Sequence, residues 1–403
     1  MSRPWQRSRS CRIPAFGVVL AAVLCQSTLA LVGDAALACP ICGVPSITLS
    51  ERYARSDAAL LVEWVSSKQA KGESRESTTF EIIEVQRDVT GLSKPHERVS
   101  VEQLTQGKPG ELFLLLGRKD EKQGVKWEGF PLPVSETSYQ YIVQAPSPET
   151  APERRLAYFA KFLEFSDTTV ANDAFGQFVN APTKDIAAVA DKLPREKLRR
   201  WLADPKTPVN RLAGYGLMLG LCGGPEDARF LEQRIAATDP ERQTGVEGLM
   251  FGYLLLAGEA GLSKLENAYL ADPEAEESMS YAAVLAVRYF WTYGNGKIAS
   301  ERLQAAMRPL LDRPMFAESA IVDLSRWKDW SLHERLMQLY RRSGDDAKLK
   351  QAIVRYMISS TKDVPTGAKE LPPHARTGQK CLEDLRQRDP KLVAETEKFF
   401  FVQ

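Results

Sequence analysis

The residues best placed to do chemistry are four of the six cysteines, those beyond Cys11 and Cys25, with three histidines and a large set of carboxylates. Cys39-Pro40-Ile41-Cys42 is the one local motif with a direct chemical reading. A C-x-x-C whose first cysteine opens a helix can lower a thiol pKa and support thiol-disulfide exchange. Such a pair normally follows a strand inside a βαβ unit, whereas here it stands ahead of any patterned segment. A metal at Cys39 and Cys42 needs two further ligands, and the sequence offers neither a second C-x-x-C nor paired histidines. Gly43 stands where haem attachment requires His, which excludes a c-type haem there. Three readings of Cys39 and Cys42 therefore stay open: a structural disulfide or staple, redox or metal work, and lipid attachment at Cys39.

The other candidates point away from catalysis. His333-Glu334 begins like a zinc-protease helix, but the position that must carry the second histidine is Met337. His96, His333 and His374 each read as turn or solvent-facing residues, and Cys222 and Cys381 as plain residues within a helix and a polar segment. The chain carries no G-x-S-x-G elbow, no P-loop and no G-x-G-x-x-G fingerprint. No catalytic residue and no cofactor site is nominated. The enzyme question stays open, leaning toward none.

The composition is that of a folded chain without a dominant charge. Of 403 residues, 44% are hydrophobic and 26% charged, with 53 Lys plus Arg against 52 Asp plus Glu. That balance argues against a dedicated nucleic-acid binder or a polybasic membrane adsorber. The length allows two or three domains.

The first residues read as an address. Arg3, Arg7, Arg9 and Arg12 precede the apolar stretch Ile13 to Leu24, the layout of a secretory signal. Ala36 and Ala38 frame an A-x-A cleavage site, with a competing cut after Ala30. Cleavage after Ala38 removes four arginines and one aspartate, leaving 49 basic against 51 acidic side chains and Cys39 at the new N-terminus. Left uncut, Ile13 to Val32 is about long enough to anchor the chain in a bilayer. Ala36-Leu37-Ala38-Cys39 also has the outline of a lipoprotein processing box. Residues 1–38 are thus expected to be a signal peptide or anchor, and the product to be exported, periplasmic or extracellular, from a bacterium. Membrane contact would run only through that segment or a lipidated Cys39.

Residues 39–145 carry β-type patterning. Ala59 to Val65 and Leu112 to Leu116 are nearly continuous apolar runs, as strands covered on both faces should be. Phe80 and Ile82 share one face and Ile83 and Val85 the other, which predicts a bulge between Ile82 and Ile83. Arg98 to Glu102 alternates, and Tyr139 to Val143 reads as the closing strand. Glycines between these runs predict a small barrel or sandwich. Arg55-Ser-Asp57-Ala-Ala-Leu-Leu-Val, Thr79-Phe-Glu-Ile-Ile-Glu-Val85 and Gly110-Glu-Leu-Phe-Leu-Leu115 resemble the netrin-like modules of tissue inhibitors of metalloproteases. The resemblance implies an OB-type barrel with Cys39 meeting a protease's zinc. No cysteine lies between Gly43 and Leu221 to form that family's disulfides.

Pro146, Pro148 and Pro152 open a linker and first helix over residues 146–166, and from 167 to 403 the periodicity is helical. Asp204-Pro205, Asp239-Pro240, Asp272-Pro273, Asp312 with Pro314, and Asp345-Asp346 recur at steps of about 33 to 40 residues, the range of two-helix repeats. Asp239-Pro240-Glu241 and Asp272-Pro273-Glu274 read as N-cap, first-turn proline and dipole-facing acid. More apolar helices over Leu212–Cys222, Gly248–Ala257, Tyr281–Trp291 and Phe316–Trp327 alternate with amphipathic ones such as Ala228, Leu231 and Ile235. This spacing resembles HEAT-like repeat proteins, which implies an α-solenoid with a protein-binding face; a compact irregular helical domain is the other reading. Tyr289 to Tyr293 with Trp327 and Trp330 is either core between repeats or a stacking platform. The expected whole is an α+β multidomain chain, a small all-β barrel or sandwich followed by a helical-repeat domain. Its expected role is non-catalytic protein binding or scaffolding, with no cofactor and no nucleic acid; a Cys39/Cys42 redox or metal protein and a protease inhibitor are the alternatives.

Overall fold

A computed structural model describes residues 47–70, 75–91, 93–122, 124–237 and 244–400. The signal or anchor segment, Cys39, Cys42 and the Asp239-Pro240 boundary lie outside the described residues. The described chain is α+β, with one open six-stranded antiparallel sheet and sixteen α-helices among the described residues. No helix among them is long and apolar enough to cross a membrane.

A short helix comes first. Thr48 caps α1 (Leu49–Arg55) by accepting from the Glu51 amide, and the Glu51 carboxylate accepts from the Thr48 amide in return. At the other end the Arg87 guanidinium donates to the carbonyls of Tyr53, Ala54 and Ser56, satisfying acceptors that the helix itself leaves free.

The sheet comprises β1 (Ala58–Lys68), β2 (Ser77–Asp88), β3 (Arg98–Val101), β4 (Leu112–Asp120), β5 (Gly124–Trp127) and β6 (Leu132–Pro133). Its order is β3-β2-β1-β4-β5, with β6 also pairing β4. The register of β1 on β2 skips Ile83, so Ile82 is buried at 3% exposure while Ile83 stands out at 37%. That is the expected bulge, but it returns Val85 to the face of Phe80 and Ile82, where the alternation had put it opposite. Because β1 and β4 are central, both their faces are covered, and the near-continuous apolar runs follow. Leu60, Val62, Phe113 and Leu115 join Phe80, Ile82 and Val101 in a small core on one face. Ala59, Leu61, Leu114 and Leu116 on the other face enter the large core shared with the helices.

Two expectations for this half need correction. The sheet stays open, so neither the barrel nor the OB-type closure implied by the netrin-like resemblance is formed. Tyr139 to Val143 is not a strand: it lies within α2 (Glu136–Gln144). Its aromatic and β-branched residues favour strands locally, but Ser135 accepts from the Ser138 amide and starts a helix. Tyr139, Tyr141 and Ile142 then fall on one buried helical face. Tertiary burial and a cap outweigh local propensity.

The 146–166 segment contains α3 (Pro152–Phe159) and a 3-10 turn (Ala160–Phe162). The helical half continues with α4 (Thr168–Val179), α5 (Thr183–Ala188), α6 (Arg195–Ala203), α7 (Val209–Cys222), α8 (Pro225–Ala236), α9 (Val246–Leu265) and α10 (Glu277–Tyr293). It ends with α11 (Ser300–Met307), α12 (Pro314–Arg326), α13 (His333–Arg342), α14 (Ala347–Lys362), α15 (Pro373–Arg388) and α16 (Pro390–Lys398). The four apolar helices expected from the sequence correspond to α7, α9, α10 and α12. The first part of α9 stops at Gly258, which takes a φ of 58° that side-chain-bearing residues avoid.

Helix α7 lies against α9, α9 against α10, α12 against α14 and α14 against α15. Between α7 and α9 the approach is backbone on backbone. A Cβ added at Gly216 would sit 2.7 Å from the Gly248 carbonyl, and one at Gly252 would collide with the Gly216 carbonyl. Farther on, side chains mediate. Trp291 stacks on Trp327 with centroids 4.3 Å apart and planes 8° apart, and Arg288 holds the buried Asp323 at 2.6 Å. Tyr289 and Phe290 are buried against Phe251, so the aromatic cluster is core between helices.

The Asp-Pro boundaries divide into kinds. Asp272 accepts from the Glu274 amide in a turn, and α10 begins only at Glu277, so the expected cap there is corrected. Asp389-Pro390 does perform that role, with Asp389 accepting from the Leu392 amide and proline opening α16.

Candidate functional site

A cluster of buried polar side chains lies where α1 meets α4 and the start of α7. The apolar face of α4 is interrupted by Asp173 and Gln177, both buried. Burial of such groups demands partners. Asp173 accepts from the Leu49 amide at 2.5 Å, the Ser50 amide at 3.4 Å, the Ser50 hydroxyl at 2.5 Å and the Tyr141 hydroxyl at 2.8 Å. Gln177 donates to Thr48 Oγ1 at 2.5 Å and accepts from Arg155 at 2.7 Å. The N-terminal turn of α1 is thereby fixed to a helix more than a hundred residues away. Burial pushes the Asp173 carboxyl above the ordinary carboxylate range, against the downward pull of these hydrogen bonds, and pushes the Tyr141 hydroxyl up as well.

The second buried charge is Arg211 on α7. It donates to the Leu163 carbonyl at 2.8 Å, to Asn172 Oδ1 at 2.6 Å and to Glu164, which also accepts from the Tyr215 hydroxyl. Its guanidinium lies 5.4 Å from the Phe175 ring centroid. Between these anchors opens a cleft of about 510 Å³. Ile47, Arg52, Thr169, Asn172 and Asn210 also line it, with Ile47, Asn172 and Asn210 exposed.

The division of labour is chemical. Asp173 and Arg211 are saturated by internal partners, so neither is free to move a proton or meet a ligand as a bare charge. Arg52, among the described residues, has no ion-pair partner, and the side chains of Thr169 and Asn210 remain uncommitted. Such walls can recognise carbonyl or carboxylate groups beside an apolar contact.

None of the sequence-nominated residues forms this site. Cys39 and Cys42 lie outside the described residues; Ile47 at the cleft rim is five positions after Cys42. Cys222 ends α7, where burial pushes its thiol up to about 11, and Cys381 on α15 is raised in the same way. Such thiols are protonated at neutral pH and poorly nucleophilic. His96 is exposed in a left-handed turn with φ 68°. His333, expected at the surface, is instead buried at 5% exposure, bonded to the Trp330 carbonyl and the Ser360 hydroxyl. The polar α13 start hides it beneath α14. His374 stacks on Trp330 and bonds the Asp363 carbonyl. Among the described residues no three His, Cys, Asp or Glu side chains gather as metal ligands.

Asp173, Gln177 and Arg211 were the residues sequence reasoning missed. One signal was present: Thr48-Leu-Ser-Glu51 is a capping box, and it marks the helix that Asp173 receives. No known protein-family description and no curated protein matches the chain.

Proposed function

We propose that this is an exported, non-catalytic binding or scaffold protein, in which the helical half is a HEAT-like array and the cleft between α1, α4 and α7 takes a segment of a partner protein. The observation that carries the reading is the contrast inside the cleft. Its acid is hydrogen-bonded by amides and hydroxyls and its buried arginine is paired with Glu164, whereas Arg52, Thr169 and Asn210 are left to face a ligand. Recognition without proton transfer is the chemistry such walls support. The serial packing of α7, α9 and α10, and of α12, α14 and α15, supports an array in which each hairpin hides its apolar face on the next.

Photo-crosslinking in the native host tests the binding reading. A benzophenone side chain at Asn210 is expected to capture one partner of defined mass, and Arg52→Ala is expected to reduce the yield several-fold. The same probe at Glu383, an exposed position on α15, serves as the control. Equal capture from both positions, or none from Asn210, refutes the cleft. Intact mass and cell fractionation test export: a cytosolic chain retaining Arg3 to Arg12 refutes it.

A further inference from the structure

We propose that a second surface, the groove between α3 and the start of α6, docks an acidic peptide. The proposal rests on the reading of the chain as a binding protein but names a surface that shares no lining residue with the cleft. The groove holds about 720 Å³, and its charged lining is entirely cationic: Arg154, Lys161, Lys192 and Lys197. The whole chain balances 53 basic against 52 acidic residues, so this concentration is local and not compositional.

All four cations are exposed. Lys192 is partly spent on Asp191 at 2.7 Å. Arg154, Lys161 and Lys197 have no ion-pair partner among the described residues. The start of α6 borders the groove through Pro194 and Lys197, with the acid of its first turn, Glu196, outside the groove lining. The wall is fixed: the Tyr158 hydroxyl donates to the Tyr141 carbonyl at 2.9 Å.

The distribution selects the ligand. The four cations come from two stretches of chain, Arg154 and Lys161 from α3 and the turn after it and Lys192 and Lys197 from the turn before α6 and the start of that helix, which suits a run of carboxylates better than a single small anion. A flat bilayer would meet the rim of the trough, and the lining offers no large aliphatic or aromatic wedge apart from the tethered Tyr158 to enter a membrane. A chain of carboxylates fits both the sign and the shape of the groove.

Fluorescence anisotropy on the full chain, with labelled hexaglutamate and hexaglutamine peptides, tests this. Hexaglutamate is expected to bind, hexaglutamine not. Raising NaCl from 20 to 200 mM is expected to weaken binding about tenfold. The double variant Lys161→Glu/Lys197→Glu is expected to lose about tenfold in affinity while keeping the parent's melting temperature, since both lysines are exposed; should it melt early, Lys161→Gln/Lys197→Gln carries the same test. Asn210→Ala is expected to bind hexaglutamate as the parent does. Unchanged affinity in the lysine variants overturns the proposal. So does binding to phosphatidylglycerol vesicles without binding to hexaglutamate, or full displacement of the peptide by equimolar inorganic phosphate. If hexaglutamate fails while crosslinking at Asn210 persists, this groove is refuted and the cleft stands.

Discussion

Two neighbouring parts of the helical half are joined by opposite means. Helices α7 and α9 meet through Gly216, Gly220, Gly248 and Gly252, whose backbones touch with no side chain between them. From α10 onward, contact is made by the Trp291–Trp327 stack and by charged pairs such as Arg288–Asp323 and Arg308–Asp329. The first joint gains dispersion contacts from proximity alone and has no slack. The second spans a gap with large or ionised groups and so inherits their sensitivity to truncation and protonation. Stability in one chain can therefore depend on shape in one place and on charge in another.

The largest effect expected is at the tighter joint. Gly252→Leu places a branched side chain against the Gly216 backbone, which only separation of α7 and α9 can relieve. It should cost more than about 4 kcal/mol, read as a collapse of the urea midpoint; a near-parent midpoint would mean the backbones are not in contact. Trp327→Ala comes next, at about 3 kcal/mol, because it removes a large and nearly buried ring. Paired with Trp291→Ala in a double-mutant cycle, it should show a coupling of about 1 kcal/mol, and zero coupling would remove the stack from the account.

Arg288→Met leaves Asp323 buried and unpaired, for an expected loss of about 2 kcal/mol at neutral pH. Burial already raises the Asp323 carboxyl. Without the arginine it rises further, so the folded variant takes up a proton at higher pH than the unfolded chain does. The variant should therefore recover stability relative to parent as pH falls toward the carboxylate range. Urea midpoints of both proteins at pH 7.5 and 5 check the sign.

The smallest effect concerns His333. Burial, aided by neighbouring His374, lowers its pKa below the ordinary 6.5. The unfolded chain then binds a proton near pH 6.5 that the folded chain refuses, so stability should fall as pH drops below 6.5. His333→Gln should flatten that part of the profile, and amide exchange should quicken around α13 and α14 while the α7–α9 joint stays unchanged.

This contrast also explains what was legible in the sequence. Central strands announced themselves because β1 and β4 are covered on both faces, and α7, α9, α10 and α12 because their apolar runs exceed one face. The skip at Ile83 could be read because alternation records it directly. By comparison, α2 was misread, since Tyr139, Tyr141 and Ile142 suit a strand locally and only the Ser135 cap argues otherwise. The glycine joint was invisible for another reason: Gly216 and Gly220 acquire meaning only opposite Gly248 and Gly252, a relation between segments. The cleft shares that property. Asp173 looks like any helical acid until Leu49, Ser50 and Tyr141 are brought to it.

The tie between Asp173 and the amide of Leu49 spans 124 positions of chain. A nascent polypeptide emerges from its N-terminal end, so the first helix and the strands behind it are made long before their anchor exists. Leu61 and Leu114 likewise wait for α2 and α3, whose Tyr139, Ile142 and Leu156 share their core. The Leu49 amide, made early, is therefore not satisfied by Asp173 until α4 has been made.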